Sequence, residues 1–579
     1  MNLPAFKAFA RSLGVLGLLC GSVCSFALDR EAFSFTNYDL NLLVDSEQHR
    51  LGARGQVTLR NDSSTPQPVA VLQISSSLNW RAIKLGDKPL QFVTQPFASD
   101  IDHTGGLSEA IVTLPQPVAP HATVNLDIAY EGVVELDATR LTRINMPADT
   151  AKSSDWDQIA GNFTAVRGAG HVAWYPIATD VANLSEDDSL FEVLGRWKVR
   201  EASSTVHVKF ELIRDSGDRP QTLVVNQASC SLFRGEIPRA QPVTSDCTFH
   251  PLGSVIPSFV VADYGVVDRR AIIVLNLPSH AVAAEAYADA GERLVPLISD
   301  WFGSPRERVQ IADLSDSDDS PFESGDLLLT SLANPDSAHA GLVVAHQLTH
   351  ASFSSPRPWI DEGLAHFAQV LDLEHEKGRQ AALDYMGAHR SALSQTEVSD
   401  LPGSEAATNN SLVNTVNEEF YRSKAMCVWW MLRDMLGDAA LKKAIAAYHP
   451  AQDRDPAYMP RLIASQTQRD LEWFFDDWVY RDRGLPDLKV ESAFPRKAIN
   501  NSFLLSVTVQ NLGSAGAEVP LTVRFPGGQV TKRLEVRAKD RATIRIETPA
   551  APEEVVVNDG SVPERGAASH TYKVEAPKG

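Results

Sequence analysis

Past its first 27 residues the chain has no run of about 18 unbroken apolar residues, so nothing there reads as a membrane-spanning helix. It has no excess of basic charge either. Lys and Arg number 53 against 73 Asp and Glu, a net charge of −20. That balance argues against nucleic acid or an anionic membrane surface as a main partner. Cysteine is scarce, with 5 in 579 residues. No two stand at CxxC spacing, which excludes that kind of zinc site. No internal repeat is evident.

Residues 1–27 have the character of a secretory signal: Lys7 and Arg11, then the short apolar run "SLGVLGLLCGSVCSFA" ending at the small-x-small site Ser25-Phe26-Ala27. The alternative is an uncleaved anchor. The expectation is an exported protein, periplasmic or secreted, with no stable membrane insertion once the signal is cleaved. Cysteine use agrees. Cys230 and Cys247 flank a polar, Pro-containing stretch and are expected to close a loop as a disulfide in an oxidising compartment. Cys427 lies in the apolar "MCVWWML" and reads as a buried thiol.

The remaining chain divides by pattern. Residues 28–265 alternate in short runs such as "ARGQVTLRN", "TVNLDIAYEG" and "TVHVKFELI" between Pro, Gly, Asn and Asp turns, which predicts an all-β domain. Residues 266–488 change to helical periodicity, as in "AVAAEAYADAGERLVPLISDWFG" and "YRSKAMCVWWMLRDMLG", and predict a mostly helical domain. Residues 489–579 return to strands ("FLLSVTVQNLG", "EVPLTVRFPGG") with turns every eight to twelve residues, the pattern of a small β-sandwich, followed by a polar tail after Ser561 expected to be loose. The fold class is therefore multidomain α+β.

One stretch carries chemistry. In "SAHAGLVVAHQLTHASF", His346 and His350 are four apart, so a helix capped by Asp336 or Ser337 aims both imidazoles at one point. With 15 histidines in the chain a bare pair at this spacing can arise by chance. A second helix follows at "PWIDEGLAHFAQVL", with Pro358 at its first position and Leu364, Phe367 and Leu371 as an apolar stripe. Glu362 falls near its start. Two histidines and one glutamate make a three-ligand zinc site with an open position. The plain alternative for Glu362 is a surface acid placed by the helix dipole.

"AHQLTH", "PWIDEGLAHF", "FYRSKAMCVWWMLRDMLG" and "DLEWFFDDWVYRDRGLP" together resemble the zinc aminopeptidases of the membrane alanyl aminopeptidase family, in the gluzincin clan. The resemblance implies a β-saddle, a thermolysin-like catalytic domain and a β-sandwich, without the large helical C-terminal domain of many members. It implies one Zn2+ per chain held by His346, His350 and Glu362, and a peptide or protein substrate. Tyr421 would stabilise the oxyanion, or else is a core tyrosine. Glu323, in "SPFESGDLLL", would hold the substrate's free amine, or else is a loop acid.

The departures are as telling. Gln347 stands where the HExxH motif has its glutamate general base, the link from His350 to Glu362 is short, and "YRSKA" replaces Y-x-K-G-A. An amide can hydrogen-bond a water but cannot take its proton. Three readings stay open: a natural pseudo-peptidase, an enzyme with a substitute base, or an engineered knock-out. His366, four residues past Glu362, is the candidate base. It could equally be a hydrogen-bonding partner of a ligand or a surface histidine. The expectation is a zinc metallopeptidase with weakened hydrolysis, or a non-catalytic protein that binds peptides or a partner on the same scaffold.

Overall fold

The computed structural model describes residues 28–575 except 187–188, 214–221, 227–228, 231–242, 250, 254, 306–307, 391–392, 394–410, 414, 416–418, 482, 499–501 and 567–568. The predicted signal and most of the loop between Cys230 and Cys247 lie outside the described residues.

The chain begins as a long amphipathic strand, Phe33–Asp45, whose Tyr38, Leu40, Leu42 and Val44 face inward while Asp39, Asn41 and Leu43 face out. This period-2 alternation is what a sheet with one wet face requires. The strand sits inside an eight-stranded sheet, antiparallel to Arg50–Asn61 and parallel to Thr205–Ile213. Two three-stranded sheets complete the region, and the core holds Phe35, Trp174, Trp197 and Phe210. Strands Ser229–Cys230 and Val243–Phe249 pair so that Cys230 faces Cys247, and a disulfide joins them.

The all-β expectation for this region omits a helix, Ser189–Glu201. Leu190, Val193, Leu194 and Trp197 recur at helical spacing, and Val193 and Trp197 are buried. The helix ends on Glu201, a fully buried carboxyl whose pKa burial lifts to about 7, against the pull of Arg200. In the unfolded chain the group titrates near the ordinary glutamate value, so between there and pH 7 the folded state binds more protons. Stability therefore falls as pH rises through that window. Glu201→Gln should flatten the dependence and leave the protein more stable than the native chain at pH 8, by on the order of 3 kcal/mol. Thermal unfolding at pH 5 and pH 8 checks this.

The middle region opens with a five-stranded sheet in the order Gly265–Asp268, Ile272–Asn276, Val309–Asp313, Leu327–Thr330, Phe322–Ser324. Its inner pairs are parallel and both edge strands antiparallel. The helical expectation for the region passes over this sheet, because its central strands are only four or five residues long and buried without alternation. Helices Ala281–Phe302, Ser337–Ser352, Pro358–Lys377 and Ala425–Leu436 pack beside it around Trp359, Trp429 and Trp430. The rings of Trp359 and Trp429 stack 5.3 Å apart, 12° from parallel. Among the described residues no helix is long and apolar enough to cross a membrane.

The C-terminal region is two facing sheets of three and four strands closed over Val507, Val509, Leu521, Val523 and Val555. The polar tail is not all loose: His570–Lys573 pairs with Glu554–Val557. Trp478 Nε1 donates to the Gly516 carbonyl at 2.8 Å and Asp477 accepts from Gly516 N–H, which joins this sandwich to the middle region. The molecule is thus a multidomain α+β fold: β-sheets first, a mostly helical middle, β-sheets last.

Candidate metal centre

Asp336 caps Ser337–Ser352, its carboxylate accepting from His339 N–H at 3.0 Å. His346 and His350 then fall on one face with ring centroids 4.8 Å apart. Pro358 starts Pro358–Lys377 after a link of residues 353–357 only, so His350 and Glu362 are joined by the end of one helix, a brief loop and the start of the next. Asp361 is the acid of the first turn, and Glu362 lies one position beyond it. Gly363 follows for a steric reason. A Cβ there would come within 2.7 Å of Ala425 Cβ and 2.9 Å of Trp429 Nε1, so only glycine lets the two helices approach this closely.

The carboxylate of Glu362 stands 3.7 Å from His346 Nε2 and 3.8 Å from His350 Nε2. A further carboxylate joins them. Glu323, on the edge strand Phe322–Ser324, places Oε1 3.3 Å from His346 Nε2 and 3.2 Å from His350 Nε2. One ligand atom from each of the four residues fits within 4.8 Å of every other. Burial opposes ionisation of Glu323, yet the two imidazoles win and hold its carboxyl well below the usual range. Burial works against protonation of His350 too, but Glu323 outweighs it and carries the imidazole up to about 10. These side chains attract positive charge, and the donor set of two imidazoles and two carboxylates suits Zn2+. The two Nε2 atoms stand 3.2 Å apart, close enough for one cation to be shared between them.

Around this cluster the other candidates fall into place. Asp361 lies 3.6 Å from His350 Nδ1, the position of a carboxylate that orients a ligand ring. Burial lifts its carboxyl to about 6 against the pull of His350. Gln347 is fully buried; its Nε2 donates to the Gly325 carbonyl at 3.4 Å, and its Oε1 has no partner among the described residues. Tyr421 sits in a π-helical turn, Glu419–Lys424, a local widening frequent at functional sites. The neighbouring Arg422 lies 3.3 Å from Glu362. The His366 ring packs 5.0 Å from that of His346, and burial, then the charge of His346, holds its pKa well below the ordinary value.

A cavity of about 1260 Å³ opens over the cluster, lined by Glu323, His350, Glu362 and Tyr421, and also by Phe191 and Lys198, the Phe191 ring meeting that of Tyr421 edge-on at 6.3 Å. His366 is not among its lining residues. Phe191 and Lys198 come from Ser189–Glu201, the helix that the sequence reading passed over. Burial lowers the basicity of Lys198, while Asp361, Glu362 and Glu323 pull the other way. The Leu190, Val193, Leu194 and Trp197 spacing was the signal that could have found this helix.

No family model matches the chain, and no curated protein matches it by sequence. Solved structures do match. The M1 zinc metallopeptidase of Deinococcus radiodurans gives a TM-score of 0.52 at 16% identity, over 79% of this chain and 96% of that one. A mutant of that protein bound to a Tyr-Ser-Ala substrate gives 0.51 at 16% identity with the same coverage. Aminopeptidase A of Legionella pneumophila, in complex with aspartic acid, gives 0.62 at 12% identity, over 94% of this chain and 60% of that one. At these identities the likeness is one of fold: the chain is folded as the M1 zinc aminopeptidases are.

Proposed function

We propose that this chain is an exported zinc protein of aminopeptidase type that takes peptides into its cavity and hydrolyses them weakly, Gln347 having replaced the general base. The observation that carries this is Gln347 itself, one residue past His346, buried, with its amide turned to the Gly325 carbonyl. His346, His350 and Glu362 would hold the ion. When bound, zinc would supply Lewis-acid polarisation of a peptide carbonyl and lower the pKa of a water. Tyr421, on the cavity wall, is suited to donate its phenol O–H to an oxygen that gains charge. His366 is read as a neighbour that holds the His346 ring, since it does not line the cavity. The Cys230–Cys247 disulfide supports export to an oxidising compartment.

Peptide is the substrate class that the cavity and the Tyr-Ser-Ala-bound neighbour favour. Titration calorimetry of the zinc-loaded chain with Tyr-Ser-Ala tests the reading. Saturation at about one peptide per chain, with the peptide recovered largely intact, is expected; absence of saturable binding contradicts it.

A further inference from the structure

We infer that Glu323 is a fourth metal ligand, closing a His346–His350–Glu362–Glu323 site rather than standing back to hold a substrate amine. This deepens the proposed function and rests on its zinc. The geometry is specific. Glu323 Oε1, His346 Nε2 and His350 Nε2 form a nearly equilateral triangle with edges of 3.3, 3.2 and 3.2 Å. A tetrahedron built on zinc–ligand distances of about 2.0–2.1 Å has edges of about 3.3 Å. Glu362 reaches toward the same two nitrogens with one oxygen each, Oε2 at 3.7 Å from His346 Nε2 and Oε1 at 3.8 Å from His350 Nε2, so its carboxylate faces the open side of this triangle. A carboxylate that anchors the amine of a bound peptide must leave room for the peptide's first residue between itself and the metal. An oxygen 3.2 Å from a ligand nitrogen leaves none.

The strand that carries Glu323 is held in place by the N-terminal region. Ile256 N–H donates to Ser324 Oγ at 2.8 Å, and that hydroxyl donates back to the Ile256 carbonyl at 3.1 Å. Asn226 Nδ2 donates to the Ser324 carbonyl at 3.1 Å and to the Ile256 carbonyl at 2.8 Å. On the other side of Glu323, the Phe322 ring meets His171 edge-on at 5.2 Å. The turn after the strand, Gly325 at φ +65°, offers its carbonyl to Gln347. A glutamate at position 347 could not make that donation while ionised. The residue that removes the general base therefore also helps to seat the strand that closes the site.

Two carboxylates balance the charge of a divalent ion, and four protein ligands are the mark of a structural zinc site, whereas a catalytic one keeps a position open. The Glu323 side chain must swing aside before a peptide carbonyl or a water can reach the metal.

Zinc affinity, measured by competition with a chromophoric chelator, tests the inference on the native chain, Glu323→Ala, Glu323→Gln and Glu362→Ala. The expected result is a loss for both Glu323 variants comparable with that of Glu362→Ala and larger than the roughly 10- to 100-fold that removing a mere hydrogen-bonding partner of a ligand costs. In the Co2+-loaded native chain the visible spectrum should ignore added azide, and in Glu323→Ala it should respond. Unchanged zinc affinity in both Glu323 variants, or an azide response in the native chain, overturns the fourth ligand and leaves the zinc reading standing. A native chain that takes up no zinc overturns both. Circular dichroism of the two Glu323 variants separates a lost ligand from a lost fold.

Discussion

Gln347→Glu is expected to raise kcat for aminoacyl amide hydrolysis by about 10²–10⁴, equivalent to about 3–5 kcal/mol of barrier. A possible ligand cluster, a cavity over it and a phenol at the cavity wall are in place. On the proposed reading the proton of the attacking water would pass to the side chain at position 347, and the Gln347 amide cannot take it. The gain should appear in kcat more than in KM, because the base acts in the transition state and the peptide contacts are untouched. Closure by Glu323 lowers the rate of native and variant chains alike and leaves their ratio to the base. The substitution also replaces the donor to the Gly325 carbonyl by an acceptor, so the zinc-free variant should melt below the native chain. A zinc-loaded Gln347→Glu chain no faster than the native one would show that the missing base is not what slows this site.

His346→Ala should reduce bound zinc from about one per chain to nearly none. His346 Nε2 lies within 3.3 Å of both His350 Nε2 and Glu323 Oε1, so its loss removes a corner of the cluster. The remaining donors are one imidazole and two carboxylates, and the carboxylates then repel each other without a second imidazole beside them. The helix should survive, since alanine is the best helix former and Asp336 still caps it. The expected signature is zinc lost with circular dichroism unchanged. Retention of zinc by a folded His346→Ala chain would place the ion elsewhere.

How much of this could be read from the sequence depended on range. The His346–His350 pair, the Asp336 cap and the Pro358 start are local signals within one or two helical turns, and local signals survive in a single sequence. The inward stripe of Leu364, Phe367 and Leu371 is of the same kind, and all three are buried. Glu323 lies 23 residues before His346. Its place beside the imidazoles depends on a three-residue edge strand and on Ile256 and Asn226 from the N-terminal region, and no periodicity encodes that. Ser189–Glu201 was overlooked for another reason: its pattern is present, but runs of strands on both sides outweigh it. Lys198 and Phe191, which line the cavity, go with it.

Whether these side chains hold a zinc ion is decided by the zinc content of the native chain. Plasma mass spectrometry on protein purified without chelators and exchanged into metal-free buffer should find about one zinc per chain. A folded chain with no zinc, and none taken up when the metal is supplied, would contradict the account.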